Sequence, residues 1–345
     1  MPLCRVDVEL DQAYGPVTER GTTREMRRLE IDRRQLGVLL GAGLFAPGAA
    51  FADIVNESPM AASRIPPSSA DLYTPPSDLK TIADLYRRMT APISVDGHGP
   101  FAFVVDTGAN QSVISDELAT QLGLARGPME PLNGVAGVQM TATTIAKLNV
   151  GDRQDTEVTL SILPSAAIGG LGMLGLDRLE DQRLTLDFRG QRLRIESARR
   201  AWRDPDDVAM KAHRRDGQLT LVDADLAGVP VVAFLDSGAQ NTIGNMALRE
   251  LATTRSPTSL WSIVPILSAT GQTINADIAD LPQLRVGGLH LPNWPVAFAD
   301  LHTFQMWDLT RTPAILLGVD VLSRFEYVSL DFARGEVRFR LPQQA

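Results

Sequence analysis

Cysteine is almost absent from this 345-residue sequence, whose only cysteine is Cys4. A disulfide framework is therefore excluded. Histidine is also scarce, and the four histidines are scattered along the chain: His98, His213, His290 and His302. Because zinc and similar metals need several closely placed ligands of these residue types, the sequence predicts neither a metal site nor another cofactor.

Basic residues are fewer than acidic residues in this sequence. The chain has 33 Lys and Arg against 41 Asp and Glu, which gives a formal net charge of -8. This balance argues against a nucleic-acid-binding surface and against a polybasic membrane patch. Apolar residues make up 44% of the sequence, and a chain of this length can therefore bury the cores of two domains of ordinary size.

Long hydrophobic runs are missing after residue 52. Before it, Arg33–Arg34 precede an apolar segment that ends in the small-residue site Ala50–Phe51–Ala52. We interpret residues 1–52 as an export signal of the twin-arginine or ordinary secretory type, with translation starting at Met26. The chain would then be periplasmic, and soluble after cleavage. An uncleaved membrane anchor and a buried apolar helix are the alternatives.

Two further segments have the composition of linkers. Residues 53–90 are rich in Pro and Ser, which is typical of a flexible linker, or of a pro-like segment that pairs with a sheet edge or covers a cleft. Residues 199–217 mix charges of both signs, which favours a solvated linker between two lobes.

Internal repetition is the strongest feature of the sequence. The stretch "PFAFVVDTGA" ends an apolar strand in Asp106, and "PVVAFLDSGA" does the same in Asp236. A single Asp-Gly turn would mean little, because such turns are common. Pro100 and Pro230, however, each precede their aspartate by six residues, and the apolar runs between them are typical of buried strands.

The repetition continues in the same order downstream. "GMLGLDRL" at 172–179 corresponds to "AILLGVDVL" at 314–322, and each copy then ends in a β-hairpin, at 184–195 and at 328–341. The sequence therefore predicts two equivalent β-rich lobes, which we place at residues 91–198 and 218–345.

This arrangement resembles the retropepsin-like aspartic proteases, in the single-chain form that pepsin-like enzymes have. The resemblance covers residues 90–342. It implies an all-β, two-lobed acid-protease fold with pseudo-twofold symmetry, a monomer that needs no dimerisation, and a polypeptide substrate bound as an extended strand. Within the family the sequence is most similar to exported bacterial enzymes, such as the periplasmic protease that trims a polar-localisation protein.

The same resemblance makes Asp106 and Asp236 the catalytic pair. Hydrolysis without a metal or a covalent nucleophile needs one carboxylate to activate water and one carboxylic acid to donate a proton. Two adjacent aspartates provide both groups, because they cannot both ionise at low cost. Which of them is the base stays open. A catalytically silent protein that binds peptides in the same cleft is the alternative function.

The neighbouring residues have roles implied by the family. Thr107 and Ser237 would reach across to the opposite loop. The glycines would let the backbone fold back under each carboxylate, or would pack behind the loops where a side chain would collide: Gly108, Gly238, Gly175 and Gly318. Ala109 and Ala239 stand where many pepsins have a hydroxyl that bonds the carboxylate, and its loss should raise the pKa of the pair and favour activity closer to neutral pH.

Two hairpins are candidates for flaps that cover bound substrate. The first lies at 133–142, with Gly134 and Gly137 at its tip, and the second at 267–276, with Gly271. Single-chain pepsins use one flap, so either hairpin could instead be an ordinary turn.

Overall fold

The two Asp-containing repeats fold into matching sets of strands. The computed structural model describes residues 77–84, 87–177, 182–198, 204–215, 218–255 and 261–342, and all of these belong to one compact unit, Ile65–Ala345. The export signal predicted at residues 1–52 lies outside the described residues. Among the helices that the structure does describe, none has the length and apolar character to cross a bilayer.

The described residues of the first half are mostly strands. In chain order the elements are β1 (Ser77–Lys80), β2 (Ile82–Ala83), β3 (Met89–Val95), β4 (His98–Val105), β5 (Val113–Ser115), α1 (Asp116–Gln121), β6 (Met129–Gly134), β7 (Gly137–Val150), β8 (Arg153–Leu163), α2 (Ser165–Ile168), β9 (Gly172–Leu174), β10 (Gln182–Asp187) and β11 (Arg192–Ser197).

From β13 onward, the second half repeats the order that begins at β3, with one additional helix, α5. Its elements are β12 (Asp207–Arg215), β13 (Gln218–Leu226), β14 (Val229–Leu235), β15 (Ile243–Gly244), α3 (Met246–Arg255), β16 (Ser262–Leu267), β17 (Thr273–Val286), β18 (Leu289–Phe298), α4 (His302–Met306), β19 (Ala314–Leu317), α5 (Val319–Leu322), β20 (Tyr327–Asp331) and β21 (Glu336–Arg340).

Strand pairing is equivalent in the two lobes. In the first lobe β4 pairs with β9 and β5 with β8 in parallel, whereas β5 pairs with β9 antiparallel. In the second lobe β14–β19, β15–β18 and β15–β19 repeat these three relations. Phe103, Val104 and Val105 of β4 are all buried, which explains its continuous apolar run beside a parallel neighbour. The prediction of an all-β chain with two pseudo-symmetric lobes is confirmed.

A shared sheet joins the lobes. The hairpin β10–β11 of the first half pairs with the hairpin β20–β21 of the second through an antiparallel β10–β20 ladder. The strand order across this region is β1-β11-β10-β20-β21-β12, continuous with the strands of the second lobe. Residues 182–197, which the sequence assigns to the first lobe, are therefore in the same sheet as second-lobe strands.

The prediction of a linker at 199–217 is wrong for most of the residues that the structure describes there. Residues 207–215 form β12, which pairs with β21 and then with β13. Met210 and Ala212 are buried, and Asp207 is bonded to Arg340 and Tyr327. Lys211 and His213 are exposed and alternate with these buried residues, a pattern that composition alone does not distinguish from a solvated linker.

The segment at 53–90 is likewise structured in its described part. β1 pairs with β11 at one edge of the shared sheet, and β2 pairs with β3 at the edge of the first lobe. Ser77 and Thr81 are each 2% exposed. Residues 77–84 therefore form paired strands rather than a flexible linker, as in the edge-pairing alternative. Residues 53–76 lie outside the described residues.

Candidate active site

The two aspartates follow equivalent strands. Asp106 comes directly after β4 and Asp236 directly after β14. The Asp106 N–H donates to the Leu174 carbonyl at 2.9 Å, and the Asp236 N–H donates to the Leu317 carbonyl at 3.0 Å. The parallel partner strands β9 and β19 therefore hold both loops. Each carboxyl lies against the glycine of the opposite loop, so the two acidic groups are adjacent and interact electrostatically.

Backbone amides orient each carboxyl. The Gly108 N–H donates to Asp106 Oδ1 at 2.8 Å, and the Gly238 N–H donates to Asp236 Oδ1 at 2.9 Å. Asp236 Oδ1 also accepts the Ala239 N–H at 3.0 Å. Because a carboxylate gains more from such donors than a neutral acid does, the loop around Asp236 is the better suited to hold the negative charge.

The pKa values of the pair follow from this geometry. Burial raises the pKa of Asp106 well above its usual range, and the negative charge of Asp236 raises it further. Burial also raises the pKa of Asp236, but its hydrogen bonds from Asp106, Ala239 and Gly238 oppose that shift. The two carboxyls therefore resist ionising together, and they titrate as a coupled pair that shares one proton.

The two Asp loops are bonded to each other through Thr107 and Ser237. The Thr107 hydroxyl donates to the Leu235 carbonyl at 2.9 Å and accepts the Ser237 N–H at 3.0 Å. The Ser237 hydroxyl donates to the Val105 carbonyl at 2.7 Å and accepts the Thr107 N–H at 3.1 Å. Both side chains are almost fully buried, so the four bonds join the lobes in a dry environment directly beneath the carboxyls.

The loop glycines are required for a different reason from the one that the sequence indicated. A methyl group on Gly108 would lie 2.4 Å from Cγ of Asp236, and one on Gly238 would lie 2.3 Å from Cγ of Asp106. Neither glycine has a positive φ. Each is therefore needed because the carboxyl of the opposite lobe occupies the space of its side chain, and not because of its backbone conformation.

Gly175 and Gly318 lie behind the two loops. A methyl group on Gly175 would lie 2.6 Å from the carbonyl carbon of Gln111, and one on Gly318 would lie 2.6 Å from that of Asn241. The Gly175 N–H donates to the Ser112 hydroxyl at 3.0 Å, and the Gly318 N–H donates to the Thr242 hydroxyl at 3.1 Å. These strands therefore support the active loops by direct backbone contact.

We expect Gly175→Ala and Gly318→Ala each to lower kcat/KM by about 100-fold, because a displacement of about 1 Å at a reacting group has that effect. The colliding atoms belong to the backbone of the Asp loops and cannot rotate away. The measurement is hydrolysis of a peptide substrate, with circular dichroism as a check on folding. Gly170→Ala is the matched control, since its methyl group would lie 3.7 Å from Val104. Equal effects of all three substitutions would contradict this explanation.

Asp177 and Asp320 follow the two supporting glycines and bond to hydroxyl groups beside them. Asp177 Oδ1 accepts the Ser112 hydroxyl at 2.7 Å, and Asp320 Oδ1 accepts the Thr242 hydroxyl at 2.8 Å. Burial raises the pKa of Asp320, against the effect of its hydrogen bonds. The same hydroxyls accept the N–H groups of the two supporting glycines, so both acids are structural partners of the loops.

Both candidate flaps reach across the cleft. The first hairpin, β6–β7, turns at Val135, whose carbonyl accepts the His302 N–H of the second lobe at 2.8 Å. In the second hairpin, β16–β17, Ala269 packs against an apolar cluster of the first lobe. A methyl group on Gly134 would lie 2.8 Å from the Thr270 hydroxyl. The two tips are therefore in mutual contact above the cleft.

The three flap glycines differ in what they do. Gly134 lines the cleft. Gly137 and Gly271 have φ values of +128° and +85°, which favour glycine at turns. The sequence therefore located both hairpins, but only one of its three flap glycines lies on the cleft wall.

Two protein-family models match this chain, and each match falls within one of the two lobes. The family described as gag-polyprotein putative aspartyl protease matches residues 91–181, and the family described as aspartyl protease matches residues 222–321. Each lobe is therefore similar to an aspartyl protease family. The comparison with curated proteins found no match.

Each matched range contains its own Asp loop, its candidate flap and its supporting glycine. The shared-sheet hairpins β10–β11 and β20–β21 lie outside both matched ranges, as do β1 and β2. The family matches therefore cover the two lobes of the aspartyl protease fold and leave out the strands that join them.

The cleft between the domains also contains residues that the sequence did not single out. It encloses about 1970 Å³, and its lining includes four amides that follow the two Asp loops at equal spacing, Asn110, Gln111, Gln240 and Asn241. That equal spacing in the two repeats was the available signal for them.

Arg88 is the other residue that sequence reasoning missed. It is 7% exposed, lines the cleft, and donates from Nε to Asp84 Oδ2 at 2.7 Å and from its guanidinium to the Ile168 carbonyl at 2.9 Å. Its positive charge lowers the pKa of both catalytic-type aspartates, against the effect of burial. Because residues 53–90 were interpreted as a linker, the sequence did not indicate that Arg88 lines the cleft.

Proposed function

We propose that this protein is an aspartic endopeptidase that cleaves an extended polypeptide with a water molecule activated between Asp106 and Asp236. The observation that carries the proposal is the pair of adjacent carboxyls, with one member from each lobe, on the wall of a cleft that two hairpins cover. Two family matches to aspartyl proteases support it.

The asymmetry of the pair supports an assignment of roles. Asp236, stabilised as an anion by two backbone N–H groups, takes a proton from the water, whose oxygen attacks the peptide carbonyl carbon. Asp106, which carries the shared proton, donates it to the carbonyl oxygen. Collapse of the resulting tetrahedral diol breaks the C–N bond, and the proton held on Asp236 passes to the leaving nitrogen. Both aspartates return to their starting protonation states through the diol hydroxyl proton.

The cleft favours a polypeptide over a small molecule. Its volume of about 1970 Å³ exceeds the roughly 300 to 1,000 Å³ that small-ligand pockets have. Apolar side chains of both hairpins face it, including Leu132, Val135, Val264 and Ile266. An extended chain can bind there through its backbone, with alternate side chains entering apolar pockets.

The experiment that tests the activity uses the purified full chain, a diverse peptide library and buffers from pH 5 to 7, with Asp106→Asn in parallel. Cleavage by the parent alone supports the proposal and reveals the side-chain preference. Peptide binding by both proteins without cleavage by either would contradict it and favour the alternative of a silent peptide-binding protein.

We further propose that the enzyme is exported and processes a periplasmic or membrane-protein substrate. The twin arginine at 33–34 and the apolar segment that follows it support this location. Expression of the full chain in a Gram-negative host, followed by fractionation and N-terminal sequencing, tests it. A mature N-terminus near Asp53 in the periplasm is expected, and lysine replacement of both arginines should block export by the twin-arginine route. Purely cytoplasmic, full-length protein would contradict export.

The pH optimum should lie above about pH 4, the usual pKa of an aspartate. Burial raises the pKa of both aspartates, and activity requires one protonated and one ionised carboxyl, so both limbs of the rate profile move to higher pH. Ala239→Ser adds a donor to the anion and should move the acidic limb of kcat/KM to lower pH. Ala167→Ser, on the cleft wall away from the pair, is the control. An optimum below about pH 4 would contradict this expectation.

A further inference from the structure

Among the strands that the structure describes, β2 (Ile82–Ala83) is an edge strand that lines the cleft. It is the last strand of the first-lobe sheet, where its neighbour is β3. Both of its residues are exposed and both line the same cleft as Asp106 and Asp236. Ile82 is 59% exposed. Edge strands of this kind are usually protected by a charge or a proline, and neither occurs within β2.

The hydrogen-bond register shows which way the edge points. The Asp84 N–H donates to the Arg88 carbonyl at 2.9 Å, and the paired residues are Ile82 with Thr90 and Ala83 with Met89. Bonded and non-bonded pairs alternate along an antiparallel ladder. Ile82 is therefore a bonded partner of Thr90, whereas the N–H and C=O of Ala83 point away from β3.

The edge is held rigidly on both sides. Before it, the Thr81 N–H donates to the Gln191 carbonyl in the turn after β10, at 2.8 Å. After it, the ion pair of Asp84 with Arg88 closes the hairpin. The Thr90 hydroxyl adds a bond to the Ile82 carbonyl at 3.0 Å. A ligand strand would therefore meet an edge that loses little conformational freedom on binding.

We propose that β2 binds the outer residues of the polypeptide substrate by strand addition, with the backbone of Ala83 as the pairing group and Ile82 as an apolar side-chain contact. This inference rests on the proposed function, because it extends the same cleft. A strand added outside β2 lies three strand spacings from β4, about 14 Å, which an extended peptide spans in about four residues. Substrate recognition thus reaches about four residues from the cleaved bond.

The test begins with oxidised insulin B chain, incubated with the full-length protein, to locate a cleaved bond. Two peptides are then made around that bond, a short one with two residues on each side and a long one with five. For the parent, we expect the long peptide to have the lower KM. Ala83→Pro removes one outward N–H at an edge position that tolerates proline. It should reduce the KM advantage of the long peptide by about 2- to 10-fold, while Ala83→Ser should retain it.

A second measurement keeps the inference testable if Ala83→Pro does not fold. Single N-methyl groups placed along the long peptide should raise the KM of the parent at one outer position, about four residues from the cleaved bond. A flat N-methyl profile beyond the residues next to that bond, or equal KM for long and short peptides, would overturn the inference. Absence of cleavage by every protein tested would instead contradict the proposed endopeptidase activity.

Discussion

Asp106→Asn is expected to abolish peptide hydrolysis and at the same time to raise the free energy of unfolding at neutral pH. The loss of activity should be at least about 1,000-fold, because a positioned general acid contributes on the order of 100- to 10,000-fold. The gain in stability follows from the raised pKa of the Asp106 carboxyl, which burial and the charge of Asp236 cause.

The sign of the stability change can be derived from proton linkage. Between the pKa of the unfolded chain and the raised pKa of the native state, the native protein binds more protons than the unfolded one. The free energy of unfolding therefore falls as pH rises through that interval. Asparagine does not titrate, so the variant escapes this loss. Its advantage should be present at pH 7 and should disappear near pH 4, where the aspartate of the unfolded chain is also protonated.

Thermal unfolding at several pH values, together with peptide hydrolysis, measures both effects. Asp236→Asn should lose activity equally, with a smaller gain in stability, because its hydrogen bonds oppose the rise of its pKa. Asp152→Asn, in an exposed turn, is the matched control and should alter neither quantity. The melting temperatures of the parent and of Asp106→Asn could instead differ by the same amount from pH 4 to 7. That result would show that the carboxyl pair does not lower the free energy of unfolding at neutral pH.

The parts of the fold that the sequence predicted are those that recur. The apolar runs before Asp106 and Asp236, and the glycine motifs at 175 and 318, appear twice in the same order, and a repeated pattern indicates equivalent lobes even where one copy would be ambiguous. Both loops and both cleft hairpins were located in this way. Symmetry between repeats therefore carried more structural information than any single motif.

The parts that were missed occur once and depend on long-range register. β12 mixes charges with buried Met210 and Ala212, and β1 is four residues long, so neither has a clear period of its own. Their partners, β21 and β11, are 120 or so positions away in sequence. Arg88 was missed for the same reason, since its partner at Ile168 is 80 residues away.

The second large effect is expected for Thr107→Val and Ser237→Ala. Each removes a buried hydroxyl that makes two hydrogen bonds to the backbone of the opposite loop. An N–H and a carbonyl are then left without partners, at about 1 to 3 kcal/mol each. Either variant should therefore lower the free energy of unfolding by about 2 to 6 kcal/mol, measured by chemical denaturation.

Hydrolysis should decline together with stability in these variants, because the four bonds hold the two carboxyls in register. Thr107→Ser and Ser237→Thr are the matched controls: each keeps the hydroxyl, and each places in one lobe the residue that the other lobe already uses. These exchanges should retain kcat within about tenfold, whereas the deletions should lower kcat by about 100-fold or more even at temperatures where they remain folded. A folded Ser237→Ala variant with the kcat of the parent would show that the cross-lobe bonds stabilise the fold without setting the geometry of the carboxyl pair.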